Sequence, residues 1–343
     1  MRRTKRPVRL SALLLVFALV LAACNGDNGV DDTDTVDDTD ATEDTDDTDT
    51  DDTDTDDAAA EDTDITIGLS ISTLANPFFV TLQEGAQSAA DDAGIELIVN
   101  DSQDDAQAEA NGIDDFVTQG VDVIVLNPVD SEAAVASVER AEAAGIQVVT
   151  VDRAVDGATV ASHVSSDNVL GGELATEFLL ESIDGEGTVA QLEGIAGTDA
   201  TRERGAGFNN VLEDADDVEL VSSVTANFSR DEGFTVAQDI LQANPELDAI
   251  FAQNDEMALG AVEAADALGI LDDLVIIGFD ATDDALAAVQ DGRMDGTVAQ
   301  QPFEIGRIGI ESAIALAQGE DLDDEVPVDV ELVTADNVDG FLD

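Results

Sequence analysis

From Ile65 onward the chain alternates two kinds of hydrophobic patterning. Short apolar runs rich in Val, Ile and Ala occupy 65–71, 95–100, 121–126, 146–151, 160–164, 188–192, 218–224, 249–252, 274–279 and 297–299. Runs of this length and composition read as strands, and those that are apolar at nearly every position suit a sheet covered on both faces. Between them lie Ala-, Leu- and Glu-rich segments with apolar residues three and four apart, such as 79–93, 133–144, 172–183 and 257–268, and three of these stop on Gly94, Gly145 and Gly269. A glycine just past a periodic segment can take the left-handed conformation that closes a helix, so these segments are predicted crossover helices. Strand and helix in strict alternation specify an α/β fold with parallel central sheets. Ten predicted strands exceed one comfortable unit, and the rhythm resumes after Ser165-Ser166-Asp167-Asn168. Two Rossmann-like lobes with a cleft between them are therefore expected.

The first 64 residues follow neither pattern. Residues 1–24 carry a basic start, an apolar run from Leu10 to Leu21 and Leu21-Ala22-Ala23 before Cys24, which reads as a secretory signal peptide. Cys24 is the one cysteine of the chain, so no intramolecular disulfide can form, and its place directly after the apolar run resembles the lipobox of bacterial lipoproteins. That resemblance implies a lipid attached at Cys24, and an extracytoplasmic protein anchored to the outer face of the membrane. Residues 25–64 are nearly all Asp and Thr, too polar to offset the entropy of ordering, and are expected to form a disordered acidic linker. Their Asp-rich repeats lack the turn glycine and terminal Glu of a calcium loop.

Charge narrows the partners. The formal net charge is −67, and after Cys24 the only basic residues are seven arginines, without a lysine. Nucleic acid is excluded as a partner on that balance. Twenty of the 79 acidic residues lie in 25–64, which leaves 59 for the folded part. A surface that acidic repels itself unless salt screens it, so it reads as adapted to high salt.

Ligands of open parallel sheets bind beyond the carboxyl ends of the strands, so the residues that follow each apolar run are the candidates for chemistry. The first run is followed by Asn76, Phe78 and Phe79, the fourth by Asp152 and Arg153, the eighth by Asn254, the ninth by Asp280 and the tenth by Gln300; Arg202 or Arg204 and Phe228 fall in the loops of the second lobe. Each has an ordinary structural alternative, since Asp and Asn cap helices and paired Phe fill cores. Taken together, however, they offer amides, carboxylates and guanidinium to sugar hydroxyls, and phenyl faces to C–H surfaces. The set binds without catalysing, and neither a cofactor nor a metal is expected.

The stretches TLANPFF from Thr73, SHVSSDNVLGG, LEGIAGTDATRERGAGF, FAQNDEMALGA, VIIGFDAT and TVAQQPFEIG stand in the order seen in the type I periplasmic-binding-protein family, which the chain resembles from about Ile65 to its end, most closely in the branch that binds D-ribose for ABC importers. The resemblance implies two lobes joined by a three-segment hinge, with crossings near Ser166-Asp167, Gln300-Gln301 and Val328-Asp329. It divides the chain into a first lobe of 65–167 plus 301–329 and a second of 168–300 plus 330–343, with the helix after Pro302 returning to the first. Carried over position by position, the sugar contacts fall on Asn76, Phe78, Phe79, Asp152, Arg153, Arg202, Phe228, Asn254, Asp280 and Gln300. A monomer that delivers D-ribose to a permease with its ATPase follows from the family. Allose, xylose or autoinducer-2 as ligand, or presentation to a chemoreceptor, are the other readings within it.

Two other classes fail on the residues. Gly194-Ile195-Ala196-Gly197-Thr198 lacks the lysine of a phosphate loop and the glycine spacing of a dinucleotide fingerprint, and His163, the one histidine, has no nucleophile to serve. A sugar-responsive repressor needs a basic helix-turn-helix where this chain has a signal sequence and an acidic tether.

Overall fold

The computed structural model describes residues 65–342; the expected signal peptide, Cys24 and the acidic linker lie outside them. Six strands form a first, wholly parallel sheet: β1 (Thr66–Ile71), β2 (Glu96–Asp101), β3 (Val123–Leu126), β4 (Gln147–Val151), β5 (Ser162–Ser166) and, from far along the chain, β11 (Glu325–Val328). A second sheet is built from β6 (Gly187–Glu193), β7 (Val218–Thr225), β8 (Ala249–Ala252), β9 (Val275–Asp280), β10 (Gly296–Ala299) and β12 (Glu331–Thr334). The strand orders are β11-β5-β4-β3-β1-β2 and β12-β10-β9-β8-β6-β7, with β12 antiparallel to β10. Among the described residues the two-lobed α/β architecture expected from the patterning is present.

Central strands such as β3 (VIVL) and β8 (AIFA) are buried throughout, as their unbroken apolar composition requires. The covering helices are α1 (Pro77–Ala93), α2 (Ala106–Gln119), α3 (Val135–Ala143), α4 (Asn168–Ser182), α5 (Asp199–Leu212), α6 (Arg230–Ala243), α7 (Asp255–Leu268), α8 (Asp283–Gln290) and α9 (Pro302–Ala317). Asn76, Asp105, Asp167, Thr198, Ser229 and Asn254 cap six of these helices by accepting from a first-turn N–H. Gly94 and Gly269 close α1 and α7 with φ of 66° and 73°. At the end of α3 the last cap residue is Ala144, and Gly145 follows at φ 87°.

Helix α9 leaves the second sheet and packs on α1 in the first. Glycine makes that contact possible: a Cβ on Gly85 would stand 1.9 Å from the Phe303 carbonyl oxygen, and one on Gly306 would stand 2.0 Å from that of Leu82. The chain passes between sheets after β5, after β10 and after β11, and the amide of Gln301 donates to the carbonyl of Asp329 at 3.0 Å, tying two of these crossings together. The patterning of the sequence did not foretell β11 and β12. Each is four residues long, and β11 contains Pro327, which ordinarily argues against a strand. Both strands lie at sheet edges, where proline and short acidic segments are tolerated.

Candidate functional site

The carboxyl ends of both sheets face one another, and between them lies a cavity lined by Asn76, Phe78, Phe79, Asp152, Arg153, Ala200, Arg204, Phe228, Asn254, Asp280 and Gln300. Nine of the ten residues marked in the sequence meet here. The tenth, Arg202, does not: its side chain is about half exposed and pairs with Asp156 of the other lobe. Its expected place is taken by Arg204, which is 4% exposed. Helical phase explains the correction. Beyond the first residue of α5, Asp199, which is itself buried, the buried positions are Ala200, Thr201, Arg204, Gly207 and Phe208, a spacing of three and four that leaves Arg202 on the outer face. The same periodicity is legible in the sequence.

Local structure fixes each side chain. Asn76 caps α1, with Oδ1 accepting from the Phe78 amide at 2.9 Å, so its Nδ2 is not drawn on by the cap. The cap places Phe78 and Phe79 in the first turn, where their rings meet edge to face at 5.1 Å and are nearly completely buried. Asn254 does the same for α7, accepting from Met257 N at 3.0 Å, while its Nδ2 donates to the Phe228 carbonyl at 3.4 Å. Phe228 is held in the left-handed region at φ 58°, and its ring rests on Gly194, where a Cβ would lie 2.0 Å from the ring. The glycine-rich loop considered as a phosphate cradle therefore serves as a seat for an aromatic ring.

The charges are balanced inside the cavity. Asp152, at the end of β4 with φ 62°, accepts from Asn127 Nδ2 at 3.1 Å and stands 3.7 Å from Arg153 Nε. Arg153 donates to the Pro128 carbonyl at 3.2 Å, and its guanidinium lies 5.1 Å from the Phe79 ring and 5.6 Å from the Phe228 ring. Arg204 donates to Asn168 Oδ1 at 2.9 Å and to the Gln253 carbonyl at 2.7 Å, stacks 3.8 Å from the Phe279 ring and faces Asp280 at 3.6 Å. Burial pushes both carboxyls above their ordinary range, with Arg153 pulling Asp152 back and Arg204 pulling Asp280 back. Burial pushes Arg204 down, against the attraction of Asp280.

Gln300 completes the ring of polar groups. Its Nε2 donates to Asp280 Oδ1 at 2.7 Å, and its Oε1 is buried without a hydrogen-bond partner in the protein. An acceptor left so costs about 1–3 kcal/mol unless a ligand supplies a donor. Asn127, Asn168, Gln253 and Phe279, which hold the charged groups in place, were not singled out from the sequence; all but Phe279 are polar residues at the ends of strands or starts of helices, the same kind of position as Asn254 and Asp280. Among the described residues no group of three or more His, Cys, Asp or Glu side chains is placed to hold a metal. His163 Nδ1 lies 2.9 Å from Thr150 Oγ1, and burial pushes its pKa down.

Comparison with known proteins adds to this geometry. Residues 67–321 match the model of the periplasmic binding protein domain. The chain is 42% identical over 271 residues to the ribose import binding protein of Bacillus subtilis, covering 79% of this chain and 88% of that protein, and 43% identical over 276 residues to that of Escherichia coli, covering 80% and 92%. Among solved structures, a solute-binding protein of Actinobacillus succinogenes with bound D-allose superposes with a TM-score of 0.76 at 31% identity, over 80% of this chain and 99% of that one. One from Bacillus halodurans with bound myo-inositol gives 0.77 at 35% identity, over 81% and 96%.

Proposed function

The chain belongs to the periplasmic binding protein family, and from that premise we propose that it captures a monosaccharide, D-ribose, between its lobes and delivers it to an ABC importer. The relatives are solute-binding proteins, and capture for transport is the activity that this family membership and the site share. The observation that carries the choice of a sugar is the cavity's polar inventory: two carboxylates, two guanidinium groups and three amides around a small space faced by Phe78, Phe79 and Phe228. Sugar hydroxyls are well satisfied in water, so a site gains affinity only if it pairs nearly all of them after desolvation. Asp152 and Asp280 accept, Arg153 and Arg204 donate, and Gln300 Oε1, which no protein donor meets, accepts from a sugar hydroxyl.

The ligand touches both lobes, so it stabilises the closed form by contacts the open form lacks. Asp152 and Arg153 bind it from the first lobe; Arg204, Asn254 and Asp280 bind it from the second. Allose, xylose and autoinducer-2 are the alternatives, and the D-allose complex among the structural neighbours keeps the first of them in view. The extracytoplasmic location follows the relatives. Attachment of a lipid at Cys24, docking of the monomeric loaded form on a permease and presentation to a chemoreceptor are further parts of the same reading.

The test is isothermal titration of the protein in molar salt with ribose, allose, xylose, arabinose, glucose and autoinducer-2. Tight one-to-one binding of ribose with weak heats from the others is expected, and Asp280→Ala should abolish it while leaving the thermal transition in place. Silence on ribose with tight binding of another ligand would overturn the choice of sugar.

A further inference from the structure

We propose that Asp255, which is not among the residues lining the cavity, is the positioning residue that holds Asp280 in its ligand-facing conformation; the proposal rests on the sugar-binding reading above. Asp280 has φ 126° and Ala281 φ 56°, two consecutive non-glycine residues in a region that L side chains rarely adopt. Such a conformation persists only where its surroundings over-determine it. The surroundings here converge on one carboxylate.

Asp255 is fully buried at the start of α7. Its Oδ2 accepts from Thr282 N at 2.8 Å and from Thr282 Oγ1 at 3.2 Å, and its Oδ1 accepts from Thr297 Oγ1 at 2.7 Å. The same Thr297 oxygen accepts from Ala281 N at 3.3 Å. The two amides that follow Asp280 are thus tethered to Asp255, one directly and one through a hydroxyl. Before Asp280 the carboxylate closes on the strand as well, since a Cβ on Gly278 would lie 2.2 Å from Asp255 Oδ1. These partners are neutral donors, so toward the loop Asp255 supplies geometry; its charge also helps to raise the Asp280 carboxyl's pKa, behind burial. Asn254 and Asp255 divide the labour between them: the first caps α7 and faces the ligand, and the second faces the strand ends and fixes the residue opposite.

The test combines ribose titration with amide hydrogen exchange of the full chain in Asp255→Asn and Thr297→Val. An amide at 255 keeps the volume but has one acceptor oxygen where the carboxylate has two: with that oxygen on Thr282 N, its N–H meets the Thr297 hydroxyl, which must reverse and accept, so the charge-assisted bond from Thr297 is lost. Asp255→Asn is expected to weaken ribose at least tenfold and to speed exchange over 279–286 in the ligand-free protein, with exchange in the first lobe unchanged. Thr297→Val, which cuts the link to Ala281 and leaves the carboxylate, should move both readings the same way by less, and it decides the matter if Asp255→Asn does not fold. Affinity within twofold of the parent, or unaltered exchange over 279–286, would overturn the proposal. So would faster exchange across the whole second lobe with the affinity of the folded fraction preserved, which is the behaviour of a general stabiliser. If the parent binds no sugar, the sugar reading fails, and exchange over 279–286 still decides whether Asp255 holds the loop.

Discussion

Gly197→Ala should weaken ligand capture without touching the ligand. Gly197 lies in the loop between β6 and α5 of the second lobe, and a Cβ there would stand 1.8 Å from Asp130 Oδ2 of the first. Asp130 cannot swing aside freely, because its Oδ1 accepts from the amides of Glu132 and Ala133 at 3.0 and 2.8 Å. The same patch carries the direct contacts of closure: Ser131 N donates to the Gly197 carbonyl at 3.0 Å, Asp199 N donates to Ser131 Oγ at 3.2 Å, and Ala154 N donates to Asp199 Oδ2 at 2.8 Å. Making room for the methyl sacrifices the two bonds of Asp130 or the Ser131 contacts, two hydrogen bonds at roughly 1 kcal/mol each, so about 2 kcal/mol. In an open form the methyl faces solvent, so the cost falls on the closed state alone and appears as a loss of about thirtyfold in affinity. Titration with ribose reads the loss, and small-angle scattering should show the ligand-free variant more extended than the parent. Affinity within twofold of the parent would refute the reasoning, since it would mean either that these faces do not meet on closure or that the loop yields without cost.

Arginine choice on α5 gives a paired comparison. Arg204→Lys removes two buried charge-assisted hydrogen bonds and a stacked contact, and should cost about 3 kcal/mol or more, over a hundredfold in ribose affinity, whereas Arg202→Ala loses a half-exposed ion pair and should change affinity no more than about fivefold by titration. Glu109 supplies a pH dependence: burial raises its pKa from 4.5 to about 7. Between those values the folded state holds more protons than the unfolded, so this group's stabilisation is full below about 4.5 and is lost by about pH 7, a change of about 3 kcal/mol; melting curves of Glu109→Gln should lack that part of the slope, and a slope equal to the parent's would contradict it. For salt, the melting temperature should rise from 0.1 to 1 M sodium chloride while ribose affinity in titrations stays nearly constant; a flat melting temperature would show that surface repulsion is not what salt relieves.

The central strands were legible because burial on both faces demands continuous apolar residues, as in β3 and β8; β2, β5 and β7 were marked by shorter apolar stretches although they are polar in part or largely exposed. What failed were elements whose environment is set from far away. Strand β11 exists because β5 offers it an edge, with Pro327 tolerated where no further strand pairs. The site was legible for a related reason: Asn76 and Asn254 begin helices, Asp152, Asp280 and Gln300 end strands, and topology sends all such ends to one cleft. Arg202 was misplaced because a motif was matched without regard to which face of α5 each residue occupies. The groups that prop the charges, Asn127, Asn168, Gln253 and Asp255, have no distinct local signature; they matter through partners remote in sequence, as Asn168 does through Arg204.

The distribution of charge separates two demands that a single net value hides. The folded part carries 59 acidic residues and seven arginines, and two of those seven stand in the cavity, almost wholly buried. There they face Asp152 and Asp280, so the formal charges of the site are matched although the chain around it is strongly anionic. Arginine suits that place: its fixed fork can donate to protein carbonyls and amides on one side and leave donors for the ligand on the other, and its flat face packs on Phe79, Phe228 and Phe279. The other five arginines bind carboxylates at or near the surface, among them Arg230 with Glu256 and Asp284 and Arg307 with Glu304 and Glu311, pairs that relieve local repulsion. A neutral sugar gains nothing from a long-range field, so an acidic exterior leaves its capture unhindered provided the cavity is balanced by short contacts. The surface could therefore drift far toward acid under one constraint, and the buried pairs at the cleft are where that constraint is met.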